Sequence, residues 1–412
     1  MKNPPAFVLK LKSTFPALCH KDFRYFFIGS SISLIGTWIQ NTGQSWLVLT
    51  LTNSAFKLGL VTALQFTPIL LFSLFAGAAV DRYPKKTILM ITQTTMMILA
   101  LILAILVYTN KIQYWHILIL ATCLGIANTV DMPTRQSFII EMVGKSDLMN
   151  AIALNSSMFN GARLIGPGVA GLMINYLGFP LCFFINALSF LPLLYGITKI
   201  SVNGLSKKAA KNRAILSEIK EGLIYISKTP DIYKTVVLVG IVGTFAMNYS
   251  VLIPLQAKMV LHKGSQGFGY LMSSMGAGSL IAALIVAAKS KKPKKALLYT
   301  SSLLISIMLF SIGEIKIYSL CMLFLFIIGV FNVLFSTTAN SKIQLAATDE
   351  YRGRVMSVYA LVFSGVTPIG SLFAGSLSTK FGVSATFIIS ALVTASLSLI
   401  VMLGDLKKRT KT

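Results

Sequence analysis

The chain has 412 residues, 55% of them hydrophobic and 12% charged, with a formal net charge of +25 and a mean hydropathy of +0.76. A soluble domain carries about 25% charged residues, so this composition excludes one. The basic balance, which in a soluble chain points to nucleic acid, is read here as charge placed against a membrane face, with no nucleic-acid partner.

Residues 1–24 are basic and hold no apolar core before a small-residue cleavage site, so they read as a retained cytoplasmic arm. Twelve apolar stretches follow, each long enough for a bilayer crossing of about 20 residues: 26–50, 56–80, 87–109, 114–137, 148–176, 179–198, 233–257, 268–288, 296–313, 318–341, 355–379 and 384–403. Of the 37 Lys and Arg residues, 30 fall in the N-terminus, every second gap and the C-terminus, counting Arg135 and Lys234 at stretch ends with the gaps they adjoin. The alternate gaps, with Lys57 at the edge of one, hold 6: Lys57, Lys111, Lys258, Lys263, Lys316 and Lys380. Cytoplasmic loops carry the positive excess, so both termini are expected inside and the chain is expected to be multi-pass. The remaining cation, Arg163, lies within the fifth stretch.

Three units are expected: a bundle of six helices over 1–198, a cytoplasmic linker over 199–231 and a second bundle over 232–412. The linker opens with Lys207, Lys208, Lys211 and Arg213. Ile215, Leu216, Ile219, Leu223 and Ile226 then recur at helical spacing, with Glu218, Lys220, Glu221 and Lys228 on the other face. That pattern is an amphipathic helix on the membrane surface. The halves echo each other: Pro84-Lys85-Lys86 returns 209 residues later as Pro293-Lys294-Lys295, and Gly166-Pro167 returns 201 residues later as Thr367-Pro368. Such repetition of half-molecules is a transporter signature.

No phosphate-binding loop, serine nucleophile elbow or His-Glu-x-x-His is present, so neither an enzyme nor a nucleotide-driven pump is expected, and no cofactor is called for. Cys19, Cys123, Cys182 and Cys321 are far apart, without metal-ligand spacing, and are read as packing residues. His20, His116 and His262 fall near the ends of stretches.

Polar residues inside apolar helices need partners or a ligand. Gln40, Asn41 and Gln44 sit in the first stretch, Gln65 in the second, Asn128 in the fourth, Asn248 and Tyr249 in the seventh and Asn332 in the tenth. Each either pairs helices or lines a substrate path. Arg163 costs at least about 2.5–3.5 kcal/mol to insert near mid-membrane, so it must face the interior, a partner or water. The fifth stretch also carries Gly161, Gly166, Pro167, Gly168 and Gly171, which suit close packing and permit a kink.

The second and third stretches are joined through Gly77, Asp81, Arg82, Pro84, Lys85 and Lys86. This segment resembles the Gly-x-x-x-Asp-Arg-x-Gly-Arg-Lys signature of the major facilitator superfamily, with Pro84 where that family often has Gly. The fifth stretch resembles the glycine–proline motif of its antiporters. The segments "DMPTRQSFIIEMV", "NAIALNSSMFNGARLIGPGVAG" and "RGRVMSVYALVFSGVTPIGSL" are similar to its bacterial drug and siderophore exporter branch, typified by the enterobactin exporter. The resemblance covers nearly the whole chain. It implies an all-α integral membrane fold of two six-helix bundles, location in the bacterial inner membrane, a small-molecule substrate and a monomer.

It further implies alternating access, export driven by protons, and a cytoplasmic latch of Asp81, Arg135 and Glu141. A pair of interfacial salt bridges without switching is the alternative for those charges. An importer or a lipid flippase on the same fold stays open beside the exporter. No carboxylate is placed at mid-membrane by the sequence; Asp131, inside the fourth stretch, is the candidate for proton coupling.

Overall fold

The computed structural model describes residues 14–204, 215–288 and 294–409, without the side chains of residues 74, 78, 79, 81, 215–219 and 406–409. The expectations for Lys207, Lys208, Lys211, Arg213, Pro293 and the Asp81 side chain lie outside the described residues, as do the side chains of Ile215, Leu216, Glu218 and Ile219.

The described chain is helical, with no strand among the described residues. In order come α1 (Lys21–Thr52), α2 (Ala55–Arg82), α3 (Lys85–Tyr108), α4 (Tyr114–Val143), α5 (Leu148–Leu177) and α6 (Phe179–Lys199). Then follow α7 (Ile215–Lys228), α8 (Pro230–Phe245), α9 (Tyr249–Leu255), a π turn (Gln256–Val260) and α10 (Ser265–Ala288). The chain closes with α11 (Lys295–Glu314), α12 (Tyr318–Ala346), α13 (Arg352–Gly365), α14 (Thr367–Phe381) and α15 (Val383–Arg409).

Among the described residues, 10 segments are long and apolar enough to cross a membrane. The two long helices outside that set, α1 and α5, have 32 and 30 residues. Both are diluted by polar side chains, among them Gln40, Asn41 and Gln44 of α1 and Arg163 of α5.

Local chemistry sets the boundaries. Asn53, in the left-handed region at φ 47°, ends α1, and the Ser54 side chain accepts from the Lys57 N–H to cap α2. Gly178 (φ +82°) separates α5 from α6, and Gly382 (φ +84°) separates α14 from α15; a Cβ is strained in that conformation. Pro68, Pro133, Pro167 and Pro192 lie within continuous helices. Transmembrane helices tolerate this because neighbours satisfy the freed carbonyls.

Two apolar stretches read as single helices are each broken in two. Stretch 355–379 stops at Val366 and restarts as α14. Pro368 has no N–H for the carbonyl four residues back, and its ring crowds that carbonyl. Stretch 233–257 breaks at 246–248, where no proline stands. There the Asn248 side chain supplies the missing donor, its Nδ2 giving a bond to the Thr244 carbonyl at 2.7 Å.

The repeat is visible in structure; around α5 and α13 its register differs from the Gly166–Thr367 spacing. Gly178 and Gly382 have matching backbones 204 residues apart, and so do the starts of α5 and α13. In that register Arg163 corresponds to Thr367, and Gly171 to Gly375. The Gly166-Pro167 and Thr367-Pro368 pairs, 201 apart, are therefore not structural equivalents, and Pro167 leaves α5 intact where Pro368 breaks its helix.

Candidate functional site

The halves meet along two seams built on glycine. In one, Gly59 of α2 lies against Ser371 and Gly375 of α14; in the other, Gly171 of α5 lies against Ser265 and Gly269 of α10. Gly59 and Gly269 are 210 residues apart, as are the starts of α2 and α10 (Ala55 and Ser265), so the seams are the two copies of one pseudo-symmetric contact. Thr379 Oγ1 accepts from the Phe56 N–H at 3.1 Å on the first seam, and Ser265 Oγ donates to the Gly171 carbonyl at 3.2 Å on the second. Trp46 stacks on Phe268 at 5.5 Å, and Lys258 Nζ crosses to the Leu49 carbonyl at 2.7 Å. These contacts all lie between mid-helix and the end that carries Lys57, Lys263 and Lys380. Toward the other end, Gly77 and Gly161 have nothing among the described residues within 4 Å of a built Cβ. The molecule is closed at its lysine-poor end.

Arg163 stands where the closed half stops. It is fifteen residues into α5, about 22 Å along at 1.5 Å per residue. Gly276 of α10 packs against its backbone, and Ser273 Oγ donates to the Leu164 carbonyl at 2.6 Å. The guanidinium lies 5.8 Å from the Trp38 ring centroid, and its Nη2 is 3.7 Å from Met275 Sδ. Trp38 meets Phe159 edge-on at 5.8 Å. No carboxylate pairs with Arg163 among the described residues. Its Nε is buried without a hydrogen-bond partner among the described residues, and so is the hydroxyl of Tyr249, a residue only 5% exposed. Tyr249 lies on α9, which packs against α1 and α10, the helices that carry Trp38 and Met275.

The other polar residues divide by helix face. Gln40 accepts from Asn186 Nδ2 at 2.7 Å, joining α1 to α6 inside one half. Asn248 is turned to its own helix break and to Gly370. Gln44 is buried; Asn41, Gln65, Asn128 and Asn332 are half-buried. Gly166 packs on α1 at Trp38, whereas Gly168 and Gly171 face α10. The glycines of α5 thus serve two neighbours rather than one smooth face.

The lysine-rich end carries two ion networks, one in each half. In the first, Lys85 pairs with Glu141 at 2.7 Å and donates to the Gly204 carbonyl at 3.2 Å; Lys86 donates to the Ile200 carbonyl at 2.6 Å. Arg135 pairs with Asp131 at 2.5 Å and reaches Ser30 Oγ at 3.1 Å. Asp131 also accepts from Thr92 Oγ1 at 2.7 Å and Gln93 Nε2 at 2.6 Å. Arg82 is exposed. Arg135 and Glu141, expected in a latch with Asp81, each have these other partners.

The second network was not singled out from sequence, although the repeat pointed to it through Lys294-Lys295. Asp405 takes Lys234 at 2.7 Å and Lys295 at 2.5 Å, and Lys295 also holds Asp231 at 2.6 Å. The Asp405 carboxylate is only 12% exposed. Removing it leaves Lys234 without a carboxylate, and stranding a buried charge is costly. Asp405→Asn should lower stability by about 1–3 kcal/mol, less than a fully buried pair because the lysines are partly hydrated. Asp349→Asn, whose carboxylate is 91% exposed beside Arg352, should change it by less than about 1 kcal/mol. Thermal melting of both variants in one detergent checks the contrast; equal shifts would deny the Asp405 network a structural role.

Residues 12–411 match the transmembrane secretion effector family. The chain is 30% identical to the Staphyloferrin A transporter of Staphylococcus aureus (strain NCTC 8325 / PS 47), over 92% of this chain and 94% of that protein. It is 27% identical to the multidrug efflux pump Tap of Mycolicibacterium fortuitum, over 86% and 88%. In fold it is similar to a bacterial homologue of the lysosomal transporter Spinster, in an inward-facing, occupied conformation (TM-score 0.73, 11% identity, 93% and 96% covered). It is equally similar to the nucleoside transporter NupG (TM-score 0.73, 12% identity, 93% and 98% covered). The chain belongs to the transmembrane secretion effector family of major facilitator transporters. It is a multi-pass membrane protein and not an enzyme.

Proposed function

We propose that the protein is a secondary active exporter of a bulky organic compound, a drug or a siderophore, working by alternating access in the bacterial inner membrane. The observation that carries this reading is Arg163: a cation at mid-depth between two halves joined along glycine seams toward one end only. The relatives, one named as a staphyloferrin A transporter and one as a multidrug efflux pump, support the cargo class. Gln40, Asn41, Gln44, Gln65, Asn128, Asn248, Tyr249 and Asn332 would line or brace the path around Arg163. With α8–α9 and α13–α14 counted as one crossing each and α1 and α5 included, twelve crossings leave both termini on one face, which the lysine excess makes the cytoplasmic one in this reading. The closed, lysine-poor end is then outside, and the chain is drawn inward-facing, as a monomer of two six-helix halves, 1–198 and 232–412, joined by the linker 199–231.

The proton gradient supplies the energy in this reading, with Asp131 as the proton's carrier. Asp131 holds Arg135, so protonation would have to release Arg135, whose guanidinium also reaches Ser30 on α1. That exchange would carry a local proton event to α1; in this reading Gly77, Asp81, Arg82, Lys85, Lys86 and Glu141 form the cytoplasmic gate.

The test is efflux by purified protein in liposomes with an imposed pH gradient, for wild type and Asp131→Asn. Cargo movement that ignores both the gradient and the substitution removes proton coupling; no cargo movement under any gradient removes the exporter. Orientation is read separately. In a background without the four native cysteines, a cysteine at Lys263 should react with an impermeant maleimide on intact cells, and one at Lys228 should react only after lysis. The reverse order would invert the topology.

A further inference from the structure

We infer that the cargo carries a carboxylate, and that Arg163 and Tyr249 are its anchor; this rests on the transporter reading and narrows its substrate class. The Arg163 guanidinium has no carboxylate partner among the described residues, only a thioether and an indole face. An unpaired charge at this depth is expensive, and both Arg163 Nε and the Tyr249 hydroxyl are buried donors with nothing to donate to. Native structures leave few such groups. Of these two, one is on α5 and the other on α9, which packs against α1 and α10, the helices whose Trp38 and Met275 hold the Arg163 guanidinium; together they mark a place where an acceptor is brought in from outside the chain.

The character of that acceptor follows from the surroundings. A guanidinium presents a planar fork that matches a carboxylate, and a hydroxyl donor adds one further bond. One cation neutralises one carboxylate, whereas a doubly charged phosphate monoester would leave a net negative charge in a buried site. Trp38, Phe159 and Met275 around the fork offer aromatic and polarisable contact, so the body behind the carboxylate is apolar or aromatic. Lys258 is engaged with the Leu49 carbonyl, which leaves the anchor to Arg163 and Tyr249.

The probes are 1-naphthylacetate, its neutral amide and 1-naphthyl phosphate, competed against tritiated 1-naphthylacetate on the purified full-length protein. The acid should bind roughly tenfold or more tightly than the amide and than the phosphate, as a charged hydrogen bond in a desolvated site commands. Arg163→Gln should erase the preference for acid over amide, and Tyr249→Phe should reduce it while leaving the fold intact. If Arg163→Gln does not yield folded protein, the Tyr249→Phe ratio decides. Equal binding of acid and amide, tighter binding of the phosphate, or an unchanged ratio in the variants overturns the assignment. Ethidium efflux from the same liposomes separates the two readings. Ethidium movement without naphthylacetate binding sinks the carboxylate anchor and keeps the transporter, whereas neither activity sinks both.

Discussion

Arg163→Ala should reduce transport to the background of empty liposomes while raising, not lowering, the melting temperature of the protein. The two signs come from one cause. Within α5 the guanidinium is held by a thioether at 3.7 Å and an indole face at 5.8 Å, weak returns for an Arg that costs about 2.5–3.5 kcal/mol or more at mid-membrane. Removing it relieves that cost, so a purely structural residue at this position would be hard to explain. Arg163→Lys should fail nearly as completely, because an ammonium is a point charge without the planar fork. Counterflow in proteoliposomes and melting in detergent, measured on the same preparations, check both. Retained transport with a lowered melting temperature would make Arg163 a structural strut and remove it from the path.

Arg163 was legible in the sequence because it is the one cation that no gap accounts for, and hydropathy alone fixes its depth. The helices were legible for the same reason: stretch 148–176 became Leu148–Leu177 and stretch 179–198 became Phe179–Lys199. What hydropathy cannot see is where a long apolar helix breaks. The break at Val366 has its signal in Pro368, but the one at 246–248 depends on Asn248 bonding its own helix, and an Asn inside an apolar run equally suggests a ligand.

Partners were less legible still. Asp131 was visible, whereas its donors Thr92 and Gln93 sit 39 and 38 residues earlier on another helix, and no periodicity within α4 points to them. Gln40 reads as a path residue until its partner Asn186, 146 residues away, is placed beside it. The repeat was legible in outline: the Pro84–Pro293 offset of 209 is one short of the 210 between the starts of α3 and α11, whereas the Gly166–Thr367 offset of 201 missed because prolines are conspicuous in a sequence while the equivalent glycines, Gly171 and Gly375, are not. The glycines of positive φ, Gly178 and Gly382, carry the 204-residue spacing of that part of the repeat.

Gly171→Leu should force the lysine-poor end apart and shift the molecule toward the opposite-facing state. A Cβ built on Gly171 lies 2.7 Å from the Ser265 carbonyl oxygen and 3.1 Å from the Gly269 Cα. Those neighbours are backbone, so they cannot rotate away, and the whole seam must give. Overpacking of this kind costs about 1–3 kcal/mol, and the cost is incurred only while the seam is closed. At about 1.4 kcal/mol per tenfold, the closed conformation should lose roughly 5- to 150-fold in population, and transport should fall with it because the cycle must pass through that state. Gly59→Leu should act the same way, since Gly59 meets the Ser371 carbonyl and Gly375 on the equivalent seam. Gly161→Leu, on the same helix as Gly171 but with nothing within 4 Å, should leave this end closed. Spin labels at Lys111 and Lys316, both exposed and one in each half, report the separation by double electron–electron resonance. Longer distances in Gly171→Leu and Gly59→Leu, against unchanged distances in Gly161→Leu, are expected. The same distance in all three, with normal transport, would mean that the glycine seams do not close the molecule.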